Sequence, residues 1–260
     1  MKSIVSRATI LIAAIGSLLM FTWPLLISAG NTITDSIDQA RLAQSVFVVL
    51  MPLMIVTVLV EFSAGKISAR QLAVLGVLTA LNAVVRLAGA GTSGIETAFF
   101  LIILGAYVFG AGFGFLLASG SILVSALISG GVGPWLPFQM MAAGLVGIVA
   151  ALLPKPKSKW LTQAVLVGYG IVAAFVYGAL MTMWNWPFLA GTGTSVSYLA
   201  GAGLFENLRR FINYELLTGG LVWDAGRALT TCTLLLLTAP ALLATLRRAA
   251  NRAGFETKKF

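Results

Sequence analysis

Nearly unbroken apolar runs decide what this chain can fold into. Ile10–Ile27 and Leu161–Met183 are two of them. Each matches the roughly 20 residues that a helix needs to cross about 30 Å of hydrocarbon. A spanning β-barrel would instead alternate apolar and polar residues with a period of two, and these runs do not. The chain is 59% hydrophobic and 10% charged, whereas a soluble domain carries about 25% charged residues to meet water. The sequence therefore predicts an all-α integral membrane protein. Its 260 residues suit one helical bundle with no second folded domain beyond the loops.

Several chemistries are excluded by residue type. Cys232 is the single cysteine and there is no histidine, so an internal disulfide, a cysteine metal cluster and a His-based catalytic triad are all ruled out. Ser119-Gly120-Ser121 has no base to serve it and reads as small residues at a helix contact. No glycine-rich phosphate loop precedes a Lys-Ser/Thr pair, and no paired-Asp or metal-ligand spacing is present. The expectation is a protein that is no enzyme, carries no cofactor or metal, and cannot hydrolyse ATP by itself. The net charge of +9 does not predict a nucleic-acid partner, because the basic residues sit in short loops between apolar runs and not on a soluble face.

Eight apolar segments are predicted to span: about 8–29, 43–62, 71–88, 96–110, 112–129, 136–153, 161–183 and 220–246. The fourth is short, and only Gly105, Gly110, Gly112 and Gly114 separate it from the fifth, so one fused helix is the alternative. Charge decides between them. Eight spans put Lys2, Arg7, Lys66, Arg70, Lys155, Lys157, Lys159, Arg247, Arg248, Arg252, Lys258 and Lys259 on one side, 12 of the 17 basic residues. The positive-inside rule then places both termini in the cytoplasm and the loops 30–42, 89–95, 130–135 and 184–219 outside. The basic start Met1–Arg7 resembles a signal peptide. The apolar run behind it is too long for one and contains Trp23-Pro24, so a retained helix is expected.

The outer half collects the polar residues that could meet a ligand. Asn82 and Arg86 lie four apart near the outer end of the third segment, and Glu96 follows across a glycine-rich loop. They suit a structural ion pair or a ligand contact, since charges at membrane depth need a partner or a cavity. Trp135 suits an interfacial anchor or a ring contact, and Gln139 needs a partner for its amide. The long last loop supplies Trp184, Asn185 and Trp186, then a helix over about 203–217. In that helix Leu204, Phe205, Leu208, Phe211, Ile212 and Leu216 oppose Glu206, Asn207, Arg209, Arg210 and Asn213. A membrane-surface helix and a lid over a pocket both fit this pattern. Gly76, Ala80 and Ala83 fall at helical spacing, as packing in the same bundle or docking of another helix would require.

One resemblance draws these features together. The small-residue helix ending at Arg86, the loop Gly94-Ile-Glu96, the glycine-rich stretch Gly105–Gly114, Ser121–Ser129 and Gly130–Gln139, continued through Gly144–Leu153, resemble the substrate-binding (S) components of energy-coupling factor (ECF) vitamin transporters. The likeness covers about residues 71–246. It implies a six-helix core over 71–246, preceded by two extra helices in 1–70 and followed by a basic cytoplasmic tail, 247–260. It also implies a plasma-membrane subunit that binds a vitamin or vitamin precursor near the outer face. A membrane scaffold (T) subunit and two ATPase subunits would be its partners. Gly76 and Ala80 occupy the positions where that family usually carries Ala-x-x-x-Ala toward the scaffold. The expected ligand contacts are Asn82, Arg86, Glu96, Trp135, Gln139, Trp184, Asn185, Trp186, Asn207, Arg210 and Asn213. A secondary transporter and a non-transporting assembly protein are the alternative functions, although no inverted repeat supports the former.

Overall fold

The structure, a computed structural model, describes residues 2–26, 68–89, 94–189, 193–199 and 201–255, with residues 45, 48–53, 55, 56 and 60. The expected outer loop 30–42, half of the second expected span, and Arg41, Lys66, Lys258 and Lys259 lie outside the described residues. Every regular element that is described is helical. In chain order these are α1 (Lys2–Leu26), α2 (Ala69–Gly89), α3 (Phe99–Phe109), α4 (Ala111–Ser129), α5 (Leu136–Leu152), α6 (Lys159–Met183), the single turn α7 (Trp186–Leu189), α8 (Leu204–Leu217) and α9 (Gly220–Ala253). Four of them, α2, α4, α6 and α9, are long and apolar enough to cross a membrane.

Glycine decides the doubtful middle of the chain. Gly110 adopts φ +98° and accepts no continuation of α3; its N–H bonds the Ala106 carbonyl at 2.9 Å, and its own carbonyl receives the Gly114 N–H. A residue with a Cβ resists that backbone conformation, so the apolar run breaks here into two helices. The first half is not a full span. α3 has 11 residues, a rise of about 16 Å, and all 11 are buried. The expected fourth span is thus a short interior helix, hydrophobic all round because protein covers every face.

The chain divides into two compact units, Met1–Val58 with Gly178–Leu221, and Leu59–Tyr177 with Val222–Phe260. In the second unit α4 packs along α2 and α5, and α3 packs against α4 and α5. The α4–α5 crossing is tight. A Cβ on Gly114 would stand 2.9 Å from the Gly147 carbonyl oxygen, so the two backbones meet where small residues allow it. Gln163 of α6 donates to the Leu235 carbonyl of α9 at 2.7 Å, and Gly170 of α6 faces Thr231 and Leu235. The outward faces of α2, α6 and α9 expose Leu72, Val77, Leu81, Val172, Leu229 and Leu237, as surfaces bathed in lipid do. α9 stays helical to Ala253, so Arg247, Arg248 and Arg252 of the expected tail extend the last helix.

The first unit is built on aromatic packing. Met183, Trp186 and Phe211 form its core, with Leu25, Ala179, Tyr198 and Tyr214 against them. Trp186 meets Phe211 and Tyr198 edge-on, with centroids 5.4 and 5.7 Å apart. Trp23 of α1 donates Nε1–H to the Trp184 carbonyl at 2.9 Å. The expected amphipathic helix is present as α8, but its apolar stripe divides. Phe211 turns inward with Asn207 and Glu215, while Phe205, Ile212 and Leu216 remain exposed.

Candidate functional site

At the end of the second unit where α2 and α4 finish and α5 and α9 begin, the helix ends surround a cavity of about 260 Å³. Gly94 brings the loop after α2 onto the start of α9. Its φ is +74°, and a Cβ there would fall inside van der Waals contact of the Trp223 carbonyl. Gly130 closes α4 in the left-handed region, φ +69°, and the Gly131 N–H returns to the Ala126 carbonyl at 2.9 Å. This turn delivers Trp135 and Gln139 to the cavity at the first turn of α5.

Two arginines line the cavity, and each has a carboxylate. Arg86 Nε lies 3.6 Å from Glu96 Oε2, beyond hydrogen-bond length, and its Nη1 donates to Ser125 Oγ at 2.8 Å. Glu96 Oε1 accepts the Ala98 N–H at 3.2 Å, which anchors it at the start of α3. Arg227 donates Nη1–H both to Asp224 Oδ1 and to the Ala174 carbonyl. Its guanidinium lies over the Tyr177 ring at 5.0 Å and the Phe99 ring at 6.0 Å, an attraction between the cation and the negative face of each ring. Trp135 and Trp223 are about half exposed, 46% and 49%, and both line the cavity. The result is a polar recess with fixed cations, fixed anions and two indoles at one end of an apolar bundle.

Sequence reasoning reached part of this arrangement. Arg86, Glu96, Trp135 and Gln139 do line one cavity. Asn82 does not line it: one turn earlier on α2, it is fully buried with neither amide atom hydrogen-bonded among the described residues. Trp223, Asp224 and Arg227 were missed as site residues. The signal for them was a charged i, i+3 pair within a spanning segment, a placement expensive enough to point to function.

The residues expected from the long loop belong to the first unit, where they hold that unit together. Trp186 is wholly buried and donates Nε1–H to the Val196 carbonyl at 2.9 Å. Asn207 pairs both ends of its amide with the Leu199 backbone, each at 3.0 Å. Trp184 is buried at 4% exposure and offers its carbonyl to Trp23. The Asn185 carbonyl accepts from Phe188 and Leu189 to form α7. Arg210 bonds Glu206 at 2.7 Å and the Thr194 carbonyl at 3.1 Å. Hydrogen bonds from Arg209 and Arg210 hold the Glu206 carboxyl below its ordinary range. Asn213 is half-buried on α8.

Among families of known proteins, the one described as ECF transporter, substrate-specific component, matches residues 70–245. The chain belongs to that family. It is a multi-pass membrane protein and a component of a transporter, not of an enzyme family. No curated protein and no solved structure matches it. The matched stretch coincides with the region whose motifs carry the S-component resemblance, and it contains every residue of the cavity. On α2 of this S component, Gly76 and Ala80 are exposed, and a Cβ on Gly76 would meet nothing within 4 Å. Ala83 is fully buried. The expected contact face therefore loses Ala83, which a helix rotation of about 300° from Ala80 turns toward the interior.

Proposed function

We propose that this chain is the substrate-binding subunit of an ECF importer in the plasma membrane. It binds a vitamin or vitamin precursor in the cavity between Arg86, Glu96, Trp135, Gln139 and Arg227 and releases it inward. The observation that carries this reading is the cavity itself. Polar groups that converge on a concave recess beside aromatic rings are what fixes a small molecule in place, and this recess lies within the family match. The bias of basic residues supports an outward-facing cavity with both termini in the cytoplasm, because Arg70, Arg248 and Arg252 gather at the far ends of α2 and α9. The chain carries no ATP-binding motif, so a scaffold subunit and two ATPases supply the energy.

The exposed Gly76–Ala80 face is the proposed scaffold contact. Small residues let two helices approach closely in lipid, and bulky replacements prevent it. Gly76→Leu with Ala80→Leu should abolish scaffold co-purification and uptake while ligand binding to the isolated chain persists. Space around Gly76 makes misfolding a poor explanation for that result. Uptake unchanged in the double variant would place the contact on another face.

A further inference from the structure

The polar groups of the cavity are not balanced between donors and acceptors. Both guanidiniums make their hydrogen bonds through Nη1, which leaves Nη2 of each uncommitted among the described residues. The Nε–H of each is buried without a hydrogen-bond partner among those residues. Neither the Trp135 nor the Trp223 indole N–H has a partner there either. The carboxylate acceptors, by contrast, are engaged, and among the side-chain amides only Gln139 adds an acceptor to the wall. Glu96 holds the Ala98 N–H with one oxygen and faces Arg86 with the other. Asp224 is 4% exposed and bonds Arg227 from behind the cavity wall. Arginine cannot lose its proton, and an indole can only donate. Through the two Nη2 groups and the two indoles, the wall thus offers a surplus of donors that suits a ligand rich in acceptors.

We infer that the ligand is a small ring-bearing organic acid whose single carboxylate seats between Arg86 and Arg227, its ring against Trp135 and Trp223. This inference rests on the proposed binding site. Planar guanidinium forks match carboxylate geometry, and charge-assisted bonds are the strong ones. Glu96 and Asp224 already offset the two cations, so one further negative charge is favoured over two. Fixing of Arg227 by Tyr177, Phe99 and Asp224 means its geometry is set before the ligand arrives. Size points the same way. A volume of about 260 Å³ falls below the roughly 300–1,000 Å³ of sites for drug-sized ligands, which suits one ring system with a short acidic side chain.

The test uses the full chain in lipid nanodiscs and the small-molecule fraction of yeast extract, split on an anion-exchange resin. A ligand of the folded state raises the unfolding midpoint, by an amount that grows with the logarithm of its concentration over its Kd. The retained, anionic pool should raise the midpoint, and prior treatment of that pool with alkaline phosphatase should leave the rise intact. Gln139→Glu, which adds a negative charge to the wall while conserving shape, should weaken the effective affinity about 10-fold or more, since it brings like charges together. Mass spectrometry of the eluted compound should then find a monocarboxylate. If phosphatase removes the rise, the ligand is a phosphate ester and the carboxylate assignment is overturned. A rise from the unretained pool alone, lost in Trp135→Ala but not in Gln139→Glu, keeps the site and overturns the organic acid. No rise from either pool overturns the proposed binding function itself.

Discussion

The two ends of the second unit treat charge in opposite ways. At the cavity end Arg86 and Arg227 are largely buried, and each has its carboxylate, Glu96 and Asp224. These are the only described carboxylates of that unit, and both lie at this end. At the other end Arg70, Arg248 and Arg252 border a groove floored by Ala73, Val74, Ala249 and Ala253, and Lys157, Lys159 and Arg247 border a second. Among the described residues no carboxylate lines either groove. A charge under low dielectric needs a nearby counterion, whereas one at the water interface is solvated and can meet anionic lipid headgroups. The difference separates charges held by a buried counterion from charges left to water.

Removing one member of a buried pair gives the largest effect. Asp224→Ala leaves Arg227 without its counterion, and breaking a buried pair in this way costs about 3–5 kcal/mol. Arg248→Ala at the other end removes an exposed cation and should change stability by no more than about 0.5 kcal/mol. Unfolding midpoints of the two variants in the same detergent check the contrast. Equal effects would mean that the cavity pair is solvated like the surface arginines.

Backbone geometry offers the next contrast. Gly94→Ala must adopt a left-handed φ, about 1–2 kcal/mol, and push into the Trp223 backbone, a further 1–3 kcal/mol or so. It should lower the midpoint and, by displacing Trp223, weaken ligand binding. Gly76→Ala sits in an exposed helix with open space around it, so it should stabilise by up to about 1 kcal/mol. A neutral Gly94→Ala would show that the loop does not lean on α9.

These contrasts also mark what the amino-acid order could disclose. Span limits follow from local hydropathy, so α2, α4, α5, α6 and α9 begin within a few residues of their expected places. Arg86 and Glu96 were legible because ten residues separate them and both stand out from apolar neighbours. Arg227, paired with Asp224, is equally conspicuous, but it joins the cavity only through the approach of Gly94 to Trp223, 129 positions along the chain. Only tertiary packing creates that approach. Trp186 and Asn207 differ from these: their ring and amide are already paired within the same loop and helix, with Val196 and Leu199. Composition counts polar groups and does not say which are already satisfied.

Asn82 tests how far the polar end reaches into the bundle. Its amide is buried and has no hydrogen-bond partner among the described residues. A lone buried polar group costs about 1–3 kcal/mol, while an apolar residue of similar shape is neutral or better. Asn82→Leu should therefore hold the midpoint or raise it by up to about 1–3 kcal/mol, with ligand affinity unchanged. A fall in affinity without a fall in stability would extend the site one turn deeper along α2.

The smallest effect comes from Glu206, a surface carboxylate that is paired, and it separates pairing from burial. Glu206 bonds Arg209 Nη2 at 3.2 Å and Arg210 Nε at 2.7 Å on the surface of α8. Their hydrogen bonds lower its pKa from the ordinary 4.5. A carboxyl whose folded pKa is depressed adds stability that is present above its unfolded pKa and lost as pH falls through the folded value. Titration from pH 7 to about 5 should therefore leave this contribution intact, and it should fade only below pH 4.5. Water and salt screen such a pair, so Glu206→Gln should shift the midpoint far less than Asp224→Ala does, and less again at high salt. If the two shifts matched, pairing alone would set the strength of an ion pair in this molecule, and burial would have no part in the contrast between its ends.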